Sequence, residues 1–232
     1  MPDFAEIAEE ILTYLACLAD NSLAPEILFR NADESNLFFK ECYALIKPAS
    51  EHNLKSAPVQ VVEKSSSKCK WCSRDLTILF DLDLTDSRLG FLGIPGKRLR
   101  VLVCDACCCF GTFFTQVDWN GSCDWGRWNL KPSYLPDDLD EWEYLPEHWL
   151  ILSANKRGTF NAASISIEIS CSQLGGYPSW VQDAEYPECP NCGLRMIFIA
   201  QLDREDCEAG EGILYSFLCK TCQVTATLYQ QT

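Results

Sequence analysis

Two histidines and two methionines are all that 232 residues hold. His52 and His148 leave little for a Cys-His or Ser-His nucleophilic pair, and the chain contains no H-E-x-x-H, no G-x-S-x-G and no glycine-rich phosphate loop. Cations are scarce too: 19 Lys and Arg stand against 33 Asp and Glu, a formal charge of −14. Proteins that neutralise phosphates carry the opposite excess, so nucleic acid is a disfavoured partner and a basic protein a favoured one, with plain solubility the alternative reading of the acidity. The best basic stretch, Gly96 to Arg100, is short. No run approaches the roughly 18 to 20 apolar residues that span a bilayer. The opening MPDFAEIAEEILTYLACLAD is acidic where a secretory signal is basic. The expectation is a soluble cytoplasmic protein with no membrane partner.

Cysteine is abundant instead, with 15 residues. In a reducing compartment that number points to metal ligands and buried thiols rather than disulfides. Their spacing repeats. Overlaying Cys69 and Cys72 on Cys189 and Cys192 brings two alternating apolar strands into line, and Cys104 and Cys107 then match Cys219 and Cys222. Each copy reads C-x2-C, strand, turn, strand, C-x2-C, with 31 residues between the pairs in the first and 26 in the second. Two knuckles of this kind complete a tetrahedral four-sulfur site, the wiring of a zinc ribbon. Two structural Zn2+ ions per chain are expected, with iron the other metal that four thiolates suit. The crowded stretch LVCDACCCF leaves one choice open, since Cys108 could replace Cys107 by a slip of one. Cys17, Cys42, Cys123, Cys171 and Cys207 have no matched spacing and read as small buried hydrophobes. Four thiolates leave no position for a water nucleophile, and Asp81 and Asp83 alternate as carboxylates on a solvated sheet face do. No enzymatic activity is expected.

Apolar residues at helical spacing from Phe4 to Leu18, and again over 34 to 47, predict two helices, the second stopped by Pro48. PASEHNLKSAPVQVVEKSSSK (48–68) reads as a linker. Alternation at 76–84, 99–103, 164–169, 196–202 and 213–218 predicts strands. The fold class is therefore α+β: mainly antiparallel β, with two tandem zinc-ribbon-like four-cysteine units and a helical N-terminal part. The expected boundaries are a helical region 1–47, a linker 48–68 and a β domain 69–232, whose units span 69–135 and 160–232. Trp119, Trp125 and Trp128 lie in a turn-rich segment and read as cover for a small core, with ligand stacking as the alternative. PDDLDEWEYLPE (136–147) carries six acidic residues and no basic one. It is either a solvated loop or a docking surface, with Asp137, Asp138, Asp140, Glu141 and Glu143 as contact candidates.

LGGYPSWVQDAEYPECPNCGLRMIFIAQL (174–202) and the closing EGILYSFLCKTCQVTATLYQQT resemble the YwqG-like domain of bacteria, relatives of the eukaryotic programmed-cell-death protein two and a yeast ribosome-maturation chaperone. The match is clear over about residues 172–232 and weaker over 69–118, where no Leu-Gly-Gly counterpart exists. The resemblance implies a non-enzymatic binder that sequesters a protein client, either as an immunity protein against a toxin or as a chaperone for a ribosomal or nascent basic protein. A nucleic-acid-binding zinc ribbon is the alternative. Gly175 and Gly176 read as a tight turn or as a place where a partner backbone approaches, with Tyr177 and Trp180 as anchors.

Overall fold

The computed structural model describes residues 36–48, 59–139, 145–147, 149–163 and 171–231. Eleven strands run through these residues: β1 (Phe39–Ile46), β2 (Val59–Lys68), β3 (Asp75–Asp83), β4 (Arg98–Val103), β5 (Phe113–Val117), β6 (Cys123–Trp125), β7 (Ile151–Leu152), β8 (Gln173–Gly176), β9 (Ile197–Asp203), β10 (Ile213–Cys219) and β11 (Val224–Gln230). They form an eight-stranded sheet, β6-β5-β11-β10-β9-β8-β1-β7, and a three-stranded sheet, β2-β3-β4. All named pairings are antiparallel.

The α+β expectation is corrected here to a mostly antiparallel β fold. The helix expected over 34–47 is instead strand β1, and residues 3–19 lie outside the described residues. The misreading has a physical cause. A bulge between Phe39 and Cys42 shifts the β1–β8 register, so the buried side chains Phe38, Cys42 and Leu45 fall three and four residues apart, as on a helix face. The C-terminal half of the expected linker is strand β2, whose Glu63, Lys64 and Lys68 give an edge of the short sheet a charged rim. The strand expected at 164–169 lies outside the described residues.

The two repeat copies share more than cysteine spacing. Residues 69–74 and 189–194 make the same two backbone bonds: Ser73 N and Gly193 N donate to the carbonyls of Cys69 and Cys189, and Cys69 N and Cys189 N donate to those of Arg74 and Leu194, all at 2.8 Å. Ser73 and Gly193 both turn the chain with positive φ, 65° and 73°. Beyond the next strand, Asp83 Oδ1 accepts from Thr85 N and Asp203 Oδ1 from Glu205 N, each at 3.0 Å, the same Asx turn 120 residues apart. The copies then join through their last strands. β5 begins six residues after Cys107 and β11 two after Cys222, so 113–116 correspond to 224–227. The β5–β11 pairs Phe113↔Thr227 and Gln116↔Val224 are images of each other under that correspondence, as are Phe114↔Ala226 and Thr115↔Thr225. The units therefore meet about a local two-fold axis. They diverge at the neighbouring position: β10 pairs with β11, but β4 does not pair with β5, whose edge β6 takes instead.

Strand β10 is buried along its whole length, which requires cover on both faces of the long sheet. On one face Ile199, Leu202, Leu214 and Leu218 share a core with Leu79, Leu82, Leu99 and Val101 of the short sheet. On the other, Phe198, Tyr215, Phe217, Val224 and Ala226 pack under Trp180, Tyr186, Tyr177 and Phe160. Alternate residues of one strand thus supply two cores.

Candidate metal centres

Each unit gathers its four expected cysteines. The sulfurs of Cys69, Cys72, Cys104 and Cys107 lie within 4.8 Å of one another, as do those of Cys189, Cys192, Cys219 and Cys222. Cys69 and Cys107 are 3.8 Å apart, Cys72 and Cys104 3.6 Å, and Cys192 and Cys219 3.8 Å. Sulfurs about 2.3 Å from a tetrahedral centre are separated by roughly 3.8 Å, so both sets fit one ion each. The fourth sulfur of the first set is that of Cys107, not Cys108. Cys108 and Cys109 turn away with their thiols on the Asp105 carbonyl, at 3.3 and 3.4 Å. The described cysteines form no disulfide.

The donor chemistry suits a cation as well as the distances do. Hydrogen bonding with Cys104 and Cys107 holds Cys69 well below the usual thiol range, while Cys104 is pushed far up by its contacts with Cys107 and Cys69 and by burial. In the second set, the Leu194 N–H lowers Cys192, whereas burial pushes Cys219 up to about 12. Four thiols this close cannot all ionise unaided, and a divalent ion relieves that conflict by stabilising each thiolate. Backbone and side-chain N–H groups face the sulfurs. Trp71 N donates to Cys69 Sγ at 3.4 Å and Asn191 Nδ2 to Cys222 Sγ at 3.3 Å.

Their surroundings differ. Cys69, Cys104 and Cys107 are at most 1% exposed and belong to the core shared by the two sheets, and the short 3-10 turn Cys107–Phe110 continues from the site. Around the second set, Cys192 is exposed and Cys222 half-buried. Beside it opens a cleft of about 410 Å3 lined by Gln116, Asp124, Trp125, Arg127, Trp128, Asn191 and Cys222. The cleft was legible only in part: the tryptophans stood out in sequence, but nothing local brought them to a cysteine knuckle some 60 residues on. Trp125 also performs the expected core cover, meeting Trp71 and Phe113 edge to face at 5.5 and 5.1 Å.

The contact candidates fare unevenly. Gly175 and Gly176 are buried, with φ of 70° and 74°. A Cβ at the first would strike the chain's own Glu41 carbonyl, and one at the second would lie 2.7 Å from the Cys42 sulfur. The chain's own β1 approaches this glycine pair, with the Thr159 carbonyl also close to the second. Tyr177 packs against Phe38 and Phe160, and Trp180 stacks on Tyr215 at 4.8 Å, so both roof the second core. Asp137 and Asp138 are exposed beside the buried Leu135 and Leu139, while Asp140, Glu141 and Glu143 lie outside the described residues. Asp81 is not on a solvated face. It is 3% exposed and takes Arg98 at 2.5 and 2.6 Å and Arg100 at 2.9 Å, which absorbs much of the short basic stretch. Among the described residues no helix is long and apolar enough to cross a membrane.

No protein-family model matches the chain, and no solved structure matches it. It is 38% identical over 208 residues to the uncharacterized protein YpfL of Salmonella typhimurium strain LT2, an alignment that takes in 88% of this chain and 48% of the relative. The chain spans about half the length of the curated relative it matches.

Proposed function

We propose that the chain is a non-enzymatic, zinc-stapled scaffold that binds and sequesters a basic protein client. The single observation that carries the structural half of this reading is the pair of closed four-sulfur sites at zinc spacing. Zinc suits four thiolates in tetrahedral array, and a site that uses all four positions for protein sulfur supplies folding free energy rather than a reactive water. Cys69, Cys72, Cys104 and Cys107 would hold one ion, and Cys189, Cys192, Cys219 and Cys222 the other.

The client half is supported by the −14 charge, which attracts a basic partner and steers its approach, and by the resemblance to YwqG-like domains. An immunity role against a toxin is the preferred form of that reading, and a chaperone role for a nascent basic protein the second. The Asp81 bridge to Arg98 and Arg100 weighs against nucleic acid, because those two guanidiniums already face a carboxylate.

Two measurements test it. Elemental analysis of the purified chain should find close to two zinc ions per chain; fewer than one would overturn the stapled scaffold. Affinity capture at low and moderate salt should recover one basic, near-stoichiometric protein that leaves as salt rises. A partner that is acidic, or indifferent to salt, would overturn the client reading.

A further inference from the structure

The cleft beside the second cysteine site has a size, a charge and a wall chemistry that together name an occupant. We propose that it seats a cationic side chain, an arginine or lysine, of the client protein; this inference rests on the client-binding reading above. At about 410 Å3 the cleft falls within the range of real ligand sites, roughly 300 to 1,000 Å3. Two half-buried indoles, Trp125 and Trp128, line it, and indole faces are the strongest aromatic seats for a cation.

The chain's own cations already use both walls. The Arg127 guanidinium lies over Trp128 at 4.9 Å with Nη2 donating to Asn191 Oδ1 at 3.2 Å, and Lys70 Nζ lies over Trp125 at 5.9 Å. Those contacts display the geometry that a client's arginine would share or take over, since Arg127 is itself exposed. The charge balance also favours a cation. Four thiolates around one divalent ion would carry a formal −2, Cys222 brings that charge to the cleft wall, and the exposed Asp124 adds a carboxylate, against the lining Arg127 and the nearby Lys70, which leaves the balance negative. A nucleobase could stack on the same indoles, but its phosphates would meet this charge and a −14 chain.

The test uses the zinc-loaded full chain and three fluorescent probes at low salt: a peptide of alternating arginine and glycine, the same peptide with glutamate for arginine, and single-stranded oligothymidylate. Asp124→Lys is compared with Glu205→Lys, which changes net charge equally at the far end of β9 from the knuckle. Both sites are exposed, so metal content should stay unchanged in both variants. The arginine peptide should bind, and Asp124→Lys should weaken it at least about tenfold where Glu205→Lys weakens it less than about twofold. Trp128→Leu should lower its affinity further than Trp128→Phe. Equal weakening by the two charge reversals would overturn the cleft while leaving a generally acidic client surface standing. Capture of a basic client undiminished by Asp124→Lys would do the same. Preference for oligothymidylate would overturn both readings.

Discussion

The two cysteine sites have one wiring and two fates. The first lies in the core between the sheets, with three of its four cysteines at most 1% exposed; the second has one ligand in the open and a cleft at its side. Their first knuckles are superposable in hydrogen bonding and in the positive φ that follows the second cysteine. What separates them is the chain after the last ligand. At Cys222 it turns through Gln223, φ 56°, straight into β11, whereas at Cys107 it runs on through a 3-10 turn, Cys108 and Cys109, before reaching β5. The first unit thus places four more residues between its last cysteine and its strand. Cluster chemistry is local, but exposure belongs to where the sheets pack.

The largest test of that difference is removal of a ligand from each site. Structural zinc supplies on the order of 10 kcal/mol in small modules, comparable with a whole domain's stability. Cys104→Ser, deep in the shared core, should abolish cooperative melting and leave the chain insoluble. Cys192→Ser should leave a folded chain with about one metal ion per chain and a lowered melting temperature. Identical behaviour of the two variants, read by elemental analysis and calorimetry, would erase the distinction between core and rim.

Chemical access probes the same contrast without mutation. A chelator with an alkylating agent should modify the exposed Cys192 first, with loss of one metal ion, then the half-buried Cys222 and Cys72, and reach Cys69, Cys104 and Cys107 only as the chain unfolds. Peptide mass spectrometry over time reads the order, and simultaneous labelling of both sets would break the comparison.

A smaller effect separates the matched Asx turns. Burial, with Asp206 and Glu205 nearby, pushes Asp203 from its ordinary 3.8 up to about 6, while its counterpart Asp83 is exposed. The folded state thus holds a proton that the unfolded state releases between about pH 4 and 6, so charging this carboxyl opposes folding as pH rises through that window. Asp203→Asn should stabilise the chain by about 1 kcal/mol at pH 7, after discount for partial exposure, and by nothing below about pH 4. Denaturant melts at pH 4 and 7 decide it; a loss of stability at pH 7 for Asp203→Asn would contradict the burial argument.

The smallest effect lies in the knuckles. Gly193 has φ 73° and open space where a Cβ would go, so Gly193→Ala carries only backbone strain, about 1 kcal/mol. Ser73 already bears that strain at φ 65°, and Ser73→Gly should gain a few tenths of a kcal/mol at most, its relief offset by unfolded-chain entropy. Equal and opposite shifts in urea melts would mean that the knuckles are energetically interchangeable.

Much of the β body was legible. The segments 76–84, 99–103, 196–202 and 213–218 fall on β3, β4, β9 and β10, because each is a short apolar run bounded by turn residues. β1 was not legible, since its bulge breaks the period, and neither was β2, whose three valines give way to the polar run EKSSSK and which is held by the register with β3. Gly175 and Gly176 signalled a close approach, but only the packing of β1 against β8 identifies what approaches.

The sequence by itself determined seven of the eight gathered cysteines and their division into two sets, because a C-x2-C knuckle is built by adjacent residues whose backbone closes the turn unaided; the choice of Cys107 over Cys108 came from the fold. Tertiary structure alone decided which site would lie deeper in a core, which carboxylate would be buried against two arginines, and which tryptophans would wall a cleft. Those outcomes depend on which distant strands share a sheet, and pairings such as β5 with β11 join residues more than 100 positions apart that carry no local trace of one another.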